Sequence, residues 1–434
     1  MVLETTEQLE ETLSRIFCSE DDEFFARKEA FAKKLEENKY DKGIKQSFYK
    51  PHIISQNLHQ KIRTAMKHLT EVLVRAAYEN SFEDYPSSDL VNAIRAITDK
   101  KPAKKIIPFS MRVDCLPFQD GLKIIEINAV QYGAYGDAAI LSKSLEQANP
   151  ELNEQLCYIS PVQSHIDHFK KFGKNFVLLY SNRELDAEDK YLIAECKEQG
   201  LNPVVIKERE IEEYLHFKDG KLCLRTNGRI PVDFVFFKCI STLGSITQRA
   251  DFLEELLNSQ TLMYDSPVHN AFEDRNLLAL FGNYDFIKNY SPDYNGNGTL
   301  RGMLLPLDKI ADAAHKVRKN PGLYVVKVNN VHAGKGVFVG EEITKNLDEL
   351  KKKDSLVQER IPPAVTEVNP INGEKENAIY DISVYVIGTY NPGTKAIWSD
   401  VGGYLSRYQP LSSGSQKTNI HQNGGMIPVM IARK

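Results

Sequence analysis

The chain has 434 residues, 42% of them hydrophobic and 26% charged, with a formal net charge of −4. That length points to two or three lobes, and the composition is that of a chain able to bury a large core. Charges of both signs are interspersed, which argues against nucleic acid or an anionic membrane as the main partner while leaving room for a local basic cleft that holds phosphates.

Residues 1 to about 98 read as helical. In "NLHQKIRTAMKHLTEVLVRAAYEN", Leu58, Ile62, Met66, Leu69, Leu73 and Ala76 recur at three- and four-residue steps, the apolar face of an amphipathic helix. The acidic start "MVLETTEQLEETLSR" is no signal peptide, and no apolar run approaches the roughly 18 residues of a membrane span. Six cysteines are scattered without metal-type spacing. A reduced, cytoplasmic protein is the expectation.

Strands begin near residue 105 with "MRVDCLPFQDGLKIIEIN". Gln119-Asp120-Gly121 fits a three-residue hairpin loop with its glycine in the left-handed region, which pairs Phe118 with Leu122, Asp114 with Glu126 and Arg112 with Asn128. Strand side chains alternate, so the four polar residues then share one face; a two-residue turn would place the two acids on opposite faces. Asp114, Glu126 and the Asn128 amide converging there suit a hard cation such as Mg²⁺, which fills its other positions with water and nucleotide phosphates. Arg112 beside them fits a phosphoryl group or a carboxylate. A solvent-facing hairpin of charged pairs is the other reading, although Glu126 lies within the apolar "KIIEINA", where a buried acid needs a partner.

"KNFVLLYS", a helical "DAEDKYLIAECKEQG", "NPVVI" and "PVDFVFFKCI" alternate as a βαβ-type parallel layer over about 160–265, with Gly200 as a helix C-cap. A helical "AFEDRNLLALFGNYDFIKNY" follows. In "YVVKVNNVHAGKGVFVG", Lys327 lies on a strand and Lys335 in the loop Ala333-Gly334-Lys335-Gly336, whose small residues let backbone N–H groups approach phosphate. The spacing is not that of a Walker A loop. The strand "SLVQE", with Gln358 and Glu359 at its exit, can offer backbone groups to an adenine edge and Glu359 to ribose hydroxyls; an ordinary strand end reads equally well. Asn391-Pro392-Gly393 marks a turn between two long strands. Gly402 and Gly403 permit a bulge or a close backbone approach. Arg407 beyond them is placed to reach a γ-phosphate, and Asn419 to support phosphate or metal.

Together these motifs resemble the ATP-grasp fold, and within it the synthetase part of the glutathionylspermidine synthase family. The resemblance rests on R-x-D followed by E-x-N (Arg112, Asp114, Glu126, Asn128), on two lysines around a glycine loop with a "VQE" strand after it, and on a C-terminal glycine-rich strand with an arginine, "KTN" and "IPVMI". It implies an α+β, ATP-grasp-type fold with the metal hairpin ahead of the ATP-clamping lysines. Asp114, Glu126 and Asn128 would ligate Mg²⁺, Arg112 and Arg407 would stabilise the transferring phosphoryl group, and Lys327, Lys335, Gly334, Gly336, Gln358, Glu359 and Asn419 would line the ATP site. Four segments are implied: a helical region over 1–104, a metal-binding hairpin segment over 105–159, a βαβ pre-ATP-grasp-like lobe over 160–268 and nucleotide-binding lobes over 269–434. No amidase segment is recognisable, and the helical first hundred or so residues match nothing in that family, so its substrates do not carry over.

The activity implied is an ADP-forming ligase that joins a small carboxylate to an amine through an acylphosphate. A small-molecule kinase and a non-catalytic nucleotide-binding scaffold are the alternatives. Capping the cleft, forming a homodimer and binding a partner are all open roles for the helical region.

Overall fold

The computed structural model describes residues 7–17, 22–38, 49–78, 89–98, 105–119, 121–130, 133–225, 230–294, 299–328, 336–353, 355–368, 375–414 and 424–433. The helix Gln56–Tyr78 buries Leu58, Ile62, Met66, Leu69, Leu73 and Ala76, the face their spacing predicts. The region before it is not helical throughout. His52–Ile54 forms a strand paired in parallel with Val429–Ala432, and its three residues are too few to show any alternation in sequence.

The hairpin consists of β1 (Ile107–Phe118) and β2 (Gly121–Asn128). Strands β3 (Asn175–Tyr180), β4 (Asn202–Lys207), β5 (Phe234–Lys238) and β6 (Leu262–Tyr264) make an all-parallel sheet in the order β6-β5-β3-β4. Its central strands are buried runs of Val, Leu and Phe, as expected where helices cover both faces. Strands β7 (Leu307–Lys309), β8 (Tyr324–Val328), β9 (Val337–Val339) and β10 (Ser355–Glu359) form an antiparallel sheet in the order β7-β10-β8-β9. The helices Ile310–Lys319 and Glu341–Lys352 pack on one face of it, over Val326, Val328 and Val357.

The long strands β11 (Glu376–Asn391) and β12 (Ala396–Pro410) turn at Asn391, whose side-chain oxygen accepts from the backbone N–H of Gly393 and Thr394. With β13 (Gly425–Ile427) and the hairpin they build the central antiparallel sheet, in the order β13-β12-β11-β1-β2. One face of this sheet, with Met111, Val113, Ile382, Val384 and Tyr404, shares a core with the helix Gln56–Tyr78. Strand alternation therefore turns Arg112, Asp114, Asp381, Ser383 and Arg407 to the other face. No helix among the described residues is long and apolar enough to cross a membrane.

Two β-bulges decide which side chains share that second face. Phe118 pairs with Gly121, not with Leu122, so the hairpin loop has two residues, and Gln119 rather than a glycine takes the positive φ of 50°. Such a turn alone would send the two acids to opposite faces. Between Cys115–Ile124 and Asp114–Glu126 the register shifts by one residue, leaving Ile125 as the extra residue of β2. Asp114 therefore still faces Glu126, and Arg112 still faces Asn128. The burial of β2 changes phase at the same place, from Leu122 and Ile124 to Ile127.

The second bulge is at Gly402, between the pairs Tyr385–Gly403 and Val386–Val401. Gly403 has a φ of 153°, and a Cβ there would lie 2.4 Å from the Pro161 ring and 2.9 Å from the Ile159 carbonyl oxygen. Gly403→Ala is therefore expected to lower stability by roughly 2–4 kcal/mol through overpacking and backbone strain. Gly302→Ala, inside the helix Thr299–Met303 where a Cβ meets open space, should leave stability unchanged or raise it by up to about 1 kcal/mol. Urea unfolding of both variants checks the pair.

Candidate active site

At the centre of the second face lies the carboxylate of Asp114, which is 1% exposed. Arg112, two residues along the same strand, holds it with both edges of its fork: Nε donates to Oδ1 at 2.8 Å and Nη2 to Oδ2 at 3.0 Å. Asn128 Nδ2, across the hairpin, donates to Oδ2 at 3.1 Å. Ser383 Oγ donates to Oδ1 at 2.8 Å, and Arg407 Nη2 lies 3.0 Å from Oδ2. Arg407 in turn grips Asp381, its partner across β11 and β12, through Nη2–Oδ2 at 2.6 Å and Nε–Oδ1 at 3.1 Å. Asp381 and Ser383 have no signal in the sequence beyond being polar in an apolar strand, "AIYDISVYVIG".

The electrostatics follow from this packing. Burial opposes ionisation of Asp114, but the Arg112 and Arg407 guanidiniums outweigh it and hold the carboxyl down at about 2. Burial likewise opposes the charge on Arg407, and Asp114 and Asp381 more than restore it.

A second cluster joins the hairpin to the β7–β10 sheet. Glu126 Oε1 accepts from Arg275 Nη2 at 2.8 Å, and Arg275 also donates to the Val328 carbonyl. Lys327, buried on β8, donates to the carbonyl of Ile125, the extra residue of the bulge. Burial brings the Lys327 ammonium down to about 8, with Glu126 opposing the shift. Arg275 escaped the sequence reading because it sits in what looks like an ordinary helix. That stretch is in fact broken into Pro267–Glu273, Arg275–Leu280 and Tyr284–Tyr290, and Asp274 caps the second piece by accepting from Asn276 N.

The remaining expected residues divide. Gln358 pairs with Val325, and Leu356 with Lys327, so Gln358 and Lys327 share the face of the β7–β10 sheet opposite its helices. Glu359 is exposed at the strand end. The Gly336 carbonyl accepts from Val328 N at 2.8 Å and closes the β8–β9 turn. Gly334, Lys335 and Asn419 lie outside the described residues.

The donor set fits only part of the expected metal site. Four hydrogen bonds fill the about four lone-pair positions of the Asp114 carboxylate, and Arg407 Nη2 pairs with Oδ2 besides, so Asp114 has none left for a cation. Glu126 and Asn128 do fit. The second oxygen of Glu126 has no partner among the described residues, and Asn128 gives its N–H to Asp114, which leaves its carbonyl oxygen as an acceptor. Among the described residues no three His, Cys, Asp or Glu side chains are arranged to hold a metal ion. Mg²⁺ here would thus take two protein oxygens and complete its shell with water and phosphate.

No protein-family model and no curated protein matches the chain. Among solved structures, it is similar to a glutathione synthetase-like effector, GSS30, from Globodera pallida in its apo form, with a TM-score of 0.69 at 14% identity over 95% of this chain and 98% of that one. The fold is α+β, of the glutathione synthetase-like, ATP-grasp type. At that identity the likeness shows the fold alone and does not single out the glutathionylspermidine synthase family.

Asp114→Asn leaves two partly buried guanidiniums facing a neutral amide, and breaking the ion pairs in this way should cost about 3 kcal/mol, the lower end for a buried pair. The acid limb gives the sign. With its folded pKa depressed to about 2 from an ordinary 3.8, Asp114 contributes stability that is complete above about 4 and lost as pH falls toward about 2. Thermal unfolding across pH 2–6 should show that loss in the parent chain and a flatter profile in the variant.

Proposed function

We propose that the chain is an ATP-dependent, ADP-forming ligase that joins a small carboxylic acid, amino acid or peptide to an amine through an acylphosphate. The observation that carries this reading is the pair of partly buried guanidiniums, Arg112 and Arg407, locked side by side on the buried Asp114 in a glutathione synthetase-like fold. Two fixed forks suit oxyanions whose charge is shared over several oxygens, as on a carboxylate being phosphorylated. Holding them on Asp114 and Asp381 means that little reorganisation is needed when that charge develops.

In this reading Arg112 and Arg407 bind the transferring phosphoryl group, and Lys327 leaves the Ile125 carbonyl to meet nucleotide phosphates. Lys335, Gly334, Gly336, Gln358, Glu359 and Asn419 complete the nucleotide site. Glu126 and Asn128 hold Mg²⁺, which when bound neutralises phosphate oxygens. Asp114 positions the two arginines. The site needs no covalent nucleophile. The small-molecule kinase reading shares these groups and differs in its product.

Hydroxylamine separates the two. The protein with Mg²⁺-ATP, hydroxylamine and a panel of small acids, amino acids and γ-glutamyl peptides is expected to release ADP and free phosphate and to form a hydroxamate with the preferred acid. A stable phosphoester formed without free phosphate would favour the kinase.

A further inference from the structure

The parallel sheet carries a second buried cluster of ionisable groups that none of these roles uses. From β3 the chain moves outward to β4 on one side and returns to β5 on the other, so the strand order reverses between β3 and β5. Ligands of open α/β sheets bind at the carboxyl ends of the strands flanking such a reversal. Those ends are Tyr180 and Lys238, which pair with each other.

The helix Ala187–Glu198 starts above them, with Glu188 and Asp189 in its first turn. Asp189 takes the Tyr135 hydroxyl on Oδ1 and has Lys238 Nζ at 3.6 Å, while its buried Oδ2 has no hydrogen-bond partner among the described residues. Glu188 is 7% exposed, and its buried Oε2 also has no hydrogen-bond partner among the described residues. A buried acceptor left unmatched is costly, and that cost falls when a ligand supplies the donor.

Glu188 is also next to the first site. A Cβ on Gly133 would sit 2.9 Å from Glu188 Oε1, so the glycine is what lets the carboxyl approach the turn. The carbonyl of the same Gly133 accepts Arg112 Nη1 at 3.0 Å and the Tyr385 hydroxyl at 3.2 Å. One glycine thus has the phosphoryl-site arginine on one side and the unpartnered carboxyl on the other. The groups facing Glu188 are Lys238 on β5, Asp137 on the helix Tyr135–Ala148, Asp189 and Asp186 on its own helix and cap, and Tyr385 on β11. Burial raises Glu188 to about 8, against Lys238 and with the help of the three aspartates, which suits a base working near neutral pH.

We propose that Glu188 is the base that takes a proton from the ammonium group of the attacking amine, with Asp189 and Lys238 framing its seat. This rests on the ligase reading. Glu188 carboxylate accepts one proton from R–NH₃⁺, and the freed nitrogen lone pair forms the C–N bond to the acyl carbon. The bond from that carbon to the phosphate oxygen breaks, its electron pair leaves with the phosphate, and the departing phosphate takes the second nitrogen proton.

Hydroxylamine is uncharged near neutral pH and needs no such base. With the acid selected by the hydroxamate screen, Glu188→Gln should therefore keep hydroxamate formation within about threefold of the parent. With glycine, putrescine or ammonium chloride its kcat/KM should fall by about a hundredfold or more. In the parent the amine rate should rise with pH with its midpoint near 8, and Glu188→Asp should recover part of it. Folding is followed separately. A folded-state pKa raised above the ordinary 4.5 makes the parent lose stability as pH rises from about 4.5 to about 8, and Glu188→Gln should flatten that fall in Tm.

Several outcomes would overturn the base. One is Glu188→Gln with an unchanged amine rate and pH profile, another is equal loss of hydroxamate and amide, and a third is a parent that makes hydroxamate but accepts none of the three amines. Failure of the parent to make any hydroxamate would instead remove the ligase reading on which the base rests.

Discussion

The carboxylate of Asp114 organises the central sheet. A buried, ionised acid is tolerated only when charge and hydrogen bonds surround it, and here Arg112 and Asn128 come from the hairpin itself and Ser383 and Arg407 from two strands distant in the chain. Each of those groups is in turn held elsewhere, Arg407 by Asp381 and Arg112 by the Gly133 carbonyl. The result is a row of alternating charges across β12, β11 and β1, in which neither arginine can move without leaving an acid exposed in a dry environment. The apolar face of the same sheet is fixed to the helix Gln56–Tyr78, so the row rests on a rigid floor. This gives the N-terminal helical region a structural part in the site, because its longest helix lies directly beneath it.

The contact between the hairpin and the β7–β10 sheet is of another kind. It is made by Lys327 on a backbone carbonyl and by Arg275 bridging Glu126 and the Val328 carbonyl. The Lys327 bond is to a neutral dipole rather than to a carboxylate, and a phosphate is a stronger acceptor for an ammonium than a carbonyl. The two sheets are thus joined by an interaction that an anionic ligand can take over, while the arginine row stays in place.

The hairpin shows how a sequence argument can reach the right pairing by the wrong route. Gln-Asp-Gly reads naturally as a three-residue loop, and that loop alone would align Asp114 with Glu126. The chain instead makes the tighter turn and restores the alignment with a bulge at Ile125. The clue was present in "LKIIEIN": apolar residues at 122 and 124 and then at 125 and 127 cannot all lie on one face of a regular strand. Two adjacent isoleucines mark the change of phase. The bulge also supplies the carbonyl that Lys327 occupies, so the irregularity that corrects the register is itself part of the site.

Alternation and helical spacing in the sequence determined the longer strands, the amphipathic helix and six of its buried residues, the parallel layer and the polar side chains gathered on one hairpin, because those patterns depend only on local geometry. Tertiary structure alone decided what the polar residues do. Asp114 read as a metal ligand while its neighbours in space were unknown, and the arrival of Arg407 and Ser383 from nearly three hundred residues away makes it the anchor of two arginines. Arg275, Asp381 and Glu188 were silent for the same reason. A charged residue in an apolar strand or at a helix start carries no mark of its partner, and whether it is paired, burdened or waiting for a ligand is fixed only when distant segments fold against it.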